Sequence, residues 1–310
     1  MTALYTLAGV VLLMVGGDAL VRGAITLSLK AGLSATLISM TVVAFGTSAP
    51  ELVISVEAAL SGSPDIALGN VVGSNIANTL LIVGVPALII SLDTGGKELR
   101  RNYALMLAAT IVFSAFALTG YISRWAGYVL LACLVAALFY SYRKSEEEGG
   151  ETLEAGDPLS GWKIAGMLLF GVIALPVGAH CLIEGARGVA LYFGLSEAAI
   201  GLTIVALGTS LPELAASTAA AWRGRTEVAL GNVIGSNMLN LLLVIGATAS
   251  ITPLVVSKPF LTVDIPLMII ITLLLAPFLI WHIRIGKRAA LLLLACYAAF
   301  CVLALGDVTI

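Results

Sequence analysis

The chain has 310 residues, of which 60% are hydrophobic and only 11% charged, with a formal net charge of −2. Soluble domains carry about 25% charged residues, so most of this chain cannot face water. A mean hydropathy of +1.07 points to an all-α, polytopic membrane protein whose surroundings are the lipid bilayer, with no nucleic-acid partner and no obligatory protein partner indicated.

About 20 apolar residues cross a bilayer as a helix. On that measure ten segments follow in order: 3–28, 36–61, 65–91, 102–119, 125–142, 162–190, 198–222, 227–251, 264–282 and 288–305. The first lacks the Lys/Arg opening and the cleavage motif of a signal peptide, and is expected to be a retained helix. Residues 143–161, RKSEEEGGETLEAGDPLSG, form the one long polar stretch and read as a solvated linker. The domains are then 1–142, a linker at 143–161, and 162–310. Cys133, Cys181, Cys296 and Cys301 sit in apolar runs without CxxC spacing, so neither a disulfide framework nor a metal site is expected from them.

Five helices per half make the second half enter from the opposite side. The loop charges agree. Loop 2–3 holds Ser61 and Ser63 where loop 7–8 holds Arg223 and Arg225; loop 3–4 holds Lys97, Arg100 and Arg101 where loop 8–9 has Lys258. Loop 9–10 holds Arg284, Lys287 and Arg288 against Arg124 in loop 4–5. By the positive-inside rule, loops 1–2, 3–4, 5–6, 7–8 and 9–10 are cytoplasmic, and both termini lie outside a cell inner (plasma) membrane. The expected architecture is a pair of inverted repeats, which in secondary transporters places substrate near the midplane.

The repeat is visible directly. Residues 41–85 and 203–247 align without a gap at an offset of 162, with 25 of 45 positions identical. Thr47/Thr209, Ser48/Ser210, Pro50/Pro212, Glu51/Glu213, Asn70/Asn232, Ser74/Ser236, Asn75/Asn237 and Asn78/Asn240 all recur. Every polar side chain in this set offers oxygen. In GTSAPE, Pro50 has no N–H for the carbonyl of Gly46 and its ring presses on it; a helix break there would free carbonyl oxygens near Ala44–Gly46. Thr47, Ser48 and Glu51 share one helix face, and Gly208, Thr209, Ser210, Pro212 and Glu213 are expected to repeat the arrangement. Asn70, Ser74 and Asn78 form a stripe beside Gly69 and Gly73, whose GxxxG-type spacing admits a close neighbour; Asn232, Ser236 and Asn240 with Gly231 and Gly235 mirror it.

A charge at mid-membrane costs at least about 2.5–3.5 kcal/mol, so two recurring glutamates call for a cationic partner. Carboxylate, carbonyl, hydroxyl and amide oxygens suit Ca²⁺, Na⁺ or Mg²⁺, and Mg²⁺ less because it dehydrates reluctantly. One Ca²⁺ or two Na⁺ would neutralise the two carboxylates and compete for them, which under alternating access gives exchange. Asn75 and Asn237 read either as ligands or as satisfying broken backbone. Asp18 and Arg22 read as an i,i+4 ion pair. An intramembrane hydrolase lacks a His near Ser48 or Ser210, and a passive channel does not need paired, duplicated carboxylates.

At GTSxPE plus GNxxGSN, each present twice, the chain resembles the sodium/calcium exchangers of the Ca²⁺/cation antiporter superfamily, in the short prokaryotic form. The resemblance covers the whole chain and implies ten helices, no enzymatic activity, no cofactor, and Ca²⁺ and Na⁺ as transported ions at four sites among helices 2, 3, 7 and 8. By motif match, Glu51, Glu213, Thr47 and Thr209 would hold Ca²⁺. Ser48, Ser74, Ser210 and Ser236, with the carbonyls of Ala44 and Ala206, would complete the Na⁺ sites, and Asn78 and Asn240 would line the centre. Helices 1 and 6 would slide across this core. Some members carry Asp at the position of Asn240; with Asn at both central positions, no third carboxylate is present. Proton- and potassium-coupled Ca²⁺ antiporters share the general motif and are the alternative.

Overall fold

The computed structural model describes residues 2–148, 160–192 and 208–306. Within them the chain forms helices α1 (Thr2–Ala31), α2 (Ala35–Leu60), α3 (Pro64–Ile89), α4 (Lys97–Ala117), α5 (Arg124–Glu148), α6 (Gly161–Tyr192), α7 (Leu211–Trp222), α8 (Thr226–Ile251), α9 (Phe260–Ile280) and α10 (Lys287–Gly306). Among the described residues, seven helices are long and apolar enough to cross a membrane: α1, α2, α3, α5, α6, α8 and α9. The chain is an integral, multi-pass membrane protein.

Local chemistry sets several boundaries. Ser34 starts α2 as its N-cap, its Oγ accepting from the Leu37 N–H at 3.0 Å. Pro64 and Asp65 open α3, where a missing N–H costs nothing and a carboxylate suits the helix dipole. Gly62 and Gly224, one repeat apart, turn the chain after α2 and α7 with φ of +78° and +72°, a region that favours glycine. Two ends fall elsewhere than expected. α4 begins at Lys97, so Lys97, Arg100 and Arg101 lie in its opening turns. α5 runs past residue 142 to Glu148, where Arg101 Nη1 meets Glu148 Oε1 at 2.7 Å and Lys144 meets Glu147 at 2.6 Å. Residues 149–159 of the expected linker lie outside the described ones.

Burial decides the layering. The most apolar stretch of α8 is 94% buried and that of α3 72%, against 28–33% for α1, α5, α6 and α9. α8 and α3 are therefore the centre, with α2 and α7 beside them. α5 packs on the C-terminal part of α8, and α10 on the C-terminal part of α3, so each outer helix covers the other half's core. On another side α1 and α6 pack closely along their length. A Cβ at Gly9 would lie 2.8 Å from the Gly178 carbonyl, and one at Gly171 would lie 2.9 Å from the Gly16 carbonyl, so the two backbones touch where side chains are absent.

Two short β contacts tie the ends of the bundle. Strand β1 (Tyr121–Ile122) pairs antiparallel with β2 (Leu254–Val255), with Tyr121 opposite Val255 and Ile122 opposite Leu254. Leu92 bridges Ile285, and Thr94 Oγ1 donates to the carbonyls of Phe278 and Ile283, both at 3.0 Å.

Three central helices contain wide π-helical turns: Ser39–Val43 in α2, Asn78–Ile82 in α3 and Asn240–Val244 in α8. Such turns frequently mark functional sites. Pro86 lacks the N–H that would bond the carbonyl of Ile82 and so favours the turn in α3. Thr248 stands at the matching place in α8, so proline is not the shared cause.

Candidate cation-binding site

Glu51 and Glu213 are each 1% exposed. They come from different halves of the chain. Ser48 Oγ, on α2, donates to Glu213 Oε1 at 3.2 Å, so the hydroxyl of one repeat reaches the carboxylate of the other. The Oε2 atoms of both glutamates are buried without a hydrogen-bond partner among the described residues. A buried carboxylate oxygen without a donor costs several kcal/mol unless a cation meets it. Among the described residues no cluster of three or more His, Cys, Asp or Glu occurs.

The two copies hold their carboxylates differently. Pro50 lies inside α2, which stays α-helical from Ala44 through Leu60; the expected break near Ala44–Gly46 is replaced by the wide turn upstream at Ser39–Val43. The Ala44 carbonyl accepts from Thr47 Oγ1 at 3.2 Å. In the second copy α7 begins at Leu211 with Pro212 in its first turn, and Thr209 and Ser210 precede the helix instead of sharing its face. Glu213 thus sits in a first helical turn, where the helix dipole favours its charge. Residues 193–207, including Thr203 and Ala206, lie outside the described ones.

α3 and α8 pack against each other. Ser74, Asn78, Ser236 and Asn240 are buried. Neither amide atom of Asn78, nor Ser236 Oγ, nor Asn240 Oδ1 has a hydrogen-bond partner among the described residues. Together with the glutamates these form a buried cluster of polar groups, most of them hard oxygens. The α8 glycines do allow a close approach: a Cβ at Gly235 would lie 2.5 Å from the backbone of Met40, and one at Gly231 would lie 3.2 Å from the Thr36 carbonyl. The neighbour is the start of α2, so α8 is drawn against the helix that carries Glu51. Gly69 and Gly73 have only the Phe260 ring near them among the described residues, 3.7 Å from a Cβ at Gly69.

Several polar groups brace the site. Asn70 Nδ2 donates to the Glu51 backbone carbonyl at 3.1 Å and to Ser55 Oγ at 2.9 Å, and Asn232 Nδ2 donates to Ser217 Oγ at 3.0 Å. The Asn70 amide therefore reaches the main chain of Glu51, and locks α3 to α2 as Asn232 locks α8 to α7. Ser55 and Ser217 were not among the expected groups, although they recur at the repeat offset one turn beyond each glutamate. Asn75 Nδ2 donates to the Asn237 carbonyl at 3.4 Å, Asn240 Nδ2 to Asn75 Oδ1 at 3.1 Å, and Asn237 Nδ2 to Thr79 Oγ1 at 3.1 Å. Away from the centre, Asp18 pairs with Arg22 at 3.0 Å, as expected, and also with Arg223 at the end of α7.

Comparison with known proteins follows the same lines. Residues 1–143 and 163–306 match the profile of the family described as sodium/calcium exchanger protein. The chain is similar to the sodium/calcium exchanger MaX1 of Methanosarcina acetivorans, 33% identical with 96% of this chain and 97% of the relative covered. It is similar to the putative antiporter CaxA of Alkalimonas amylolytica, 35% identical over 92% and 90% of the two chains. Among solved structures, the sodium-calcium exchanger NCX_Mj soaked with 10 mM Na⁺ and 10 mM Sr²⁺ superposes with a TM-score of 0.84 at 33% identity, covering 96% of each chain.

Proposed function

The chain belongs to the sodium/calcium exchanger family, whose members are transporters and not enzymes, and from that premise we propose that it exchanges Na⁺ for Ca²⁺ by alternating access at the site between Glu51 and Glu213. One observation carries the reading: two carboxylates from opposite halves are buried together at 1% exposure each, with one oxygen of each left without a protein partner among the described residues. Such a pair is stable only when neutralised. One Ca²⁺ or two Na⁺ would do so, and the ions would exclude each other.

In this reading Glu51, Glu213, Thr47 and Thr209 hold Ca²⁺. Ser48, Ser74, Ser210 and Ser236, with the carbonyls of Ala44 and Ala206, complete the Na⁺ positions, and Asn78 and Asn240 line the centre. The burial of Ser48, Ser74, Ser210 and Ser236 beside the carboxylate helices supports these assignments. The ten helices form two inverted five-helix repeats, with the interval 143–161 between them cytoplasmic and both termini outside. The β contacts support that inversion. β1 and β2 join loops 4–5 and 8–9, which the charge rule puts outside, and the Leu92–Ile285 bridge joins loops 3–4 and 9–10, which it puts inside.

The test is uptake of radioactive Ca²⁺ into proteoliposomes loaded with Na⁺, with K⁺, or under an imposed pH gradient. Uptake driven by internal Na⁺ alone is expected. Uptake driven only by the pH gradient, or only with K⁺ present, would keep the site and change the coupling ion, and uptake without any opposing gradient would indicate a channel.

A further inference from the structure

We propose that Asn75 is a positioning residue for the cation site: it fixes the side-chain amide of Asn240 so that Oδ1, and not Nδ2, is offered to the ion. This rests on the exchange reading above and deepens it. The argument starts from a group that cannot reverse. The backbone carbonyl of Asn237 only accepts, so the edge of Asn75 that faces it at 3.4 Å must be the Nδ2 donor. That leaves Asn75 Oδ1 facing Asn240, whose Nδ2 donates to it at 3.1 Å. With its donor edge committed, Asn240 presents its carbonyl oxygen, which is buried and has no hydrogen-bond partner among the described residues. Ser236 Oγ, one turn earlier on α8, is in the same state.

An amide is a cation ligand in one orientation only. Flipped, it would direct N–H groups at the ion and repel it. Asn75, Asn237 and Asn240 are 2%, 1% and 0% exposed, so water does not compete for these bonds, and the sequence Asn237 carbonyl, Asn75, Asn240 transmits one fixed polarity across the interface between the two halves.

The repeat-related amide is not fixed in this way. Asn237 stands where Asn75 does in the other copy, and the symmetrical bond would run from Asn78 to Asn237 Oδ1. Instead Asn237 Nδ2 donates to Thr79 Oγ1 at 3.1 Å, and Asn237 Oδ1 and both amide atoms of Asn78 have no partner among the described residues. The sequence supplies the reason: Thr79 is matched by Leu241, so only Asn237 finds a hydroxyl at this place. The two central asparagines, alike in sequence, are unlike in constraint.

The experiment uses the purified full-length protein in detergent and reads equilibrium binding of radioactive Ca²⁺ and its displacement by Na⁺, with thermal melting as the check on folding. Asn75→Ala, Asn240→Ala, the double variant and Glu51→Gln are compared with the unmodified chain. Partners one shell out from a metal ligand typically contribute 10- to 100-fold in affinity, so Asn75→Ala is expected to weaken Ca²⁺ about 10-fold. In the Asn240→Ala background the same change is expected to have no further effect, because Asn75 acts through Asn240. A merely structural role would lower the melting temperature and multiply with Asn240→Ala. If Asn75→Ala fails to fold, Asn75→Ser, too short to reach Asn240, takes its place. Loss of binding in Glu51→Gln with unchanged binding in Asn75→Ala, or multiplying effects in the double variant, overturns the role of Asn75 alone. Unchanged binding in Glu51→Gln overturns the site and the inference together.

Discussion

Glu51 and Glu213 are the two carboxyl groups among the buried polar residues of the proposed site, and the ones able to carry a negative charge there. Replacing either by Gln keeps the shape and removes that charge. Removing one partner of a buried ion pair costs about 3–5 kcal/mol, so Glu51→Gln and Glu213→Gln should each weaken Ca²⁺ binding by several hundredfold or more. The same variants should melt at a higher temperature than the unmodified chain in ion-free buffer, because a desolvated, repelling carboxylate is gone, and should lose the stabilisation that Ca²⁺ confers on the unmodified chain. Melting curves with and without Ca²⁺ check both signs; a Gln variant that binds Ca²⁺ normally would remove its residue from the site. At this scale the sequence was informative wherever a group recurs, as with Ser48, Glu51 and their copies. Ser55 and Ser217 recur equally and went unread. Asn70 holds the main chain of Glu51. Which way Asn75 points depends on a carbonyl of α8, and no pattern within α3 contains that information.

The elements explain how those residues meet. The GxxxG spacing in α8 correctly announced a close neighbour, but the neighbour is the opening of α2, across the interface between halves, and α8 itself supplies the backbone on that side. Gly235→Ala would put a Cβ 2.5 Å from the Met40 main chain. Backbone cannot move aside as a flexible side chain can, so the cost should be about 1–3 kcal/mol, read as a lower melting temperature together with weaker Ca²⁺ binding. A variant as stable as the unmodified chain would show that α2 and α8 can separate without loss. Proline was the less reliable sign. Pro50 and Pro212 are identical in the repeat, yet the first lies within a continuous helix and the second stands in the first turn of one. The glycines of α1 and α6, spaced by seven on both helices, carried a legible pairing signal that the motif-rich central helices overshadowed.

Over the whole molecule, membrane character was legible from composition, and the order of helices from hydropathy, because lipid imposes the same requirement on every span. The helix ends were less so: α4 and α5 extend through charged turns that an apolar count stops short of, held there by the Arg101–Glu148 pair. The proposed inversion makes a direct prediction. With Cys133, Cys181, Cys296 and Cys301 replaced, a single cysteine at Ser63 in loop 2–3 should react with an impermeant thiol reagent from outside the cell. One at Arg225, in the repeat-related loop 7–8, should react only from the cytoplasmic side. Labelling of both from one side would contradict the inversion.

The central claim is that one site, assembled from both halves, holds either Ca²⁺ or Na⁺. Its most direct test is equilibrium Ca²⁺ binding to the purified protein at increasing Na⁺, with ionic strength held constant by an inert organic cation. The account predicts that Na⁺ raises the apparent Kd for Ca²⁺ without lowering the number of Ca²⁺ bound at saturation, with a steepness of two or more Na⁺ per Ca²⁺ displaced. A Ca²⁺ affinity indifferent to Na⁺ would contradict it.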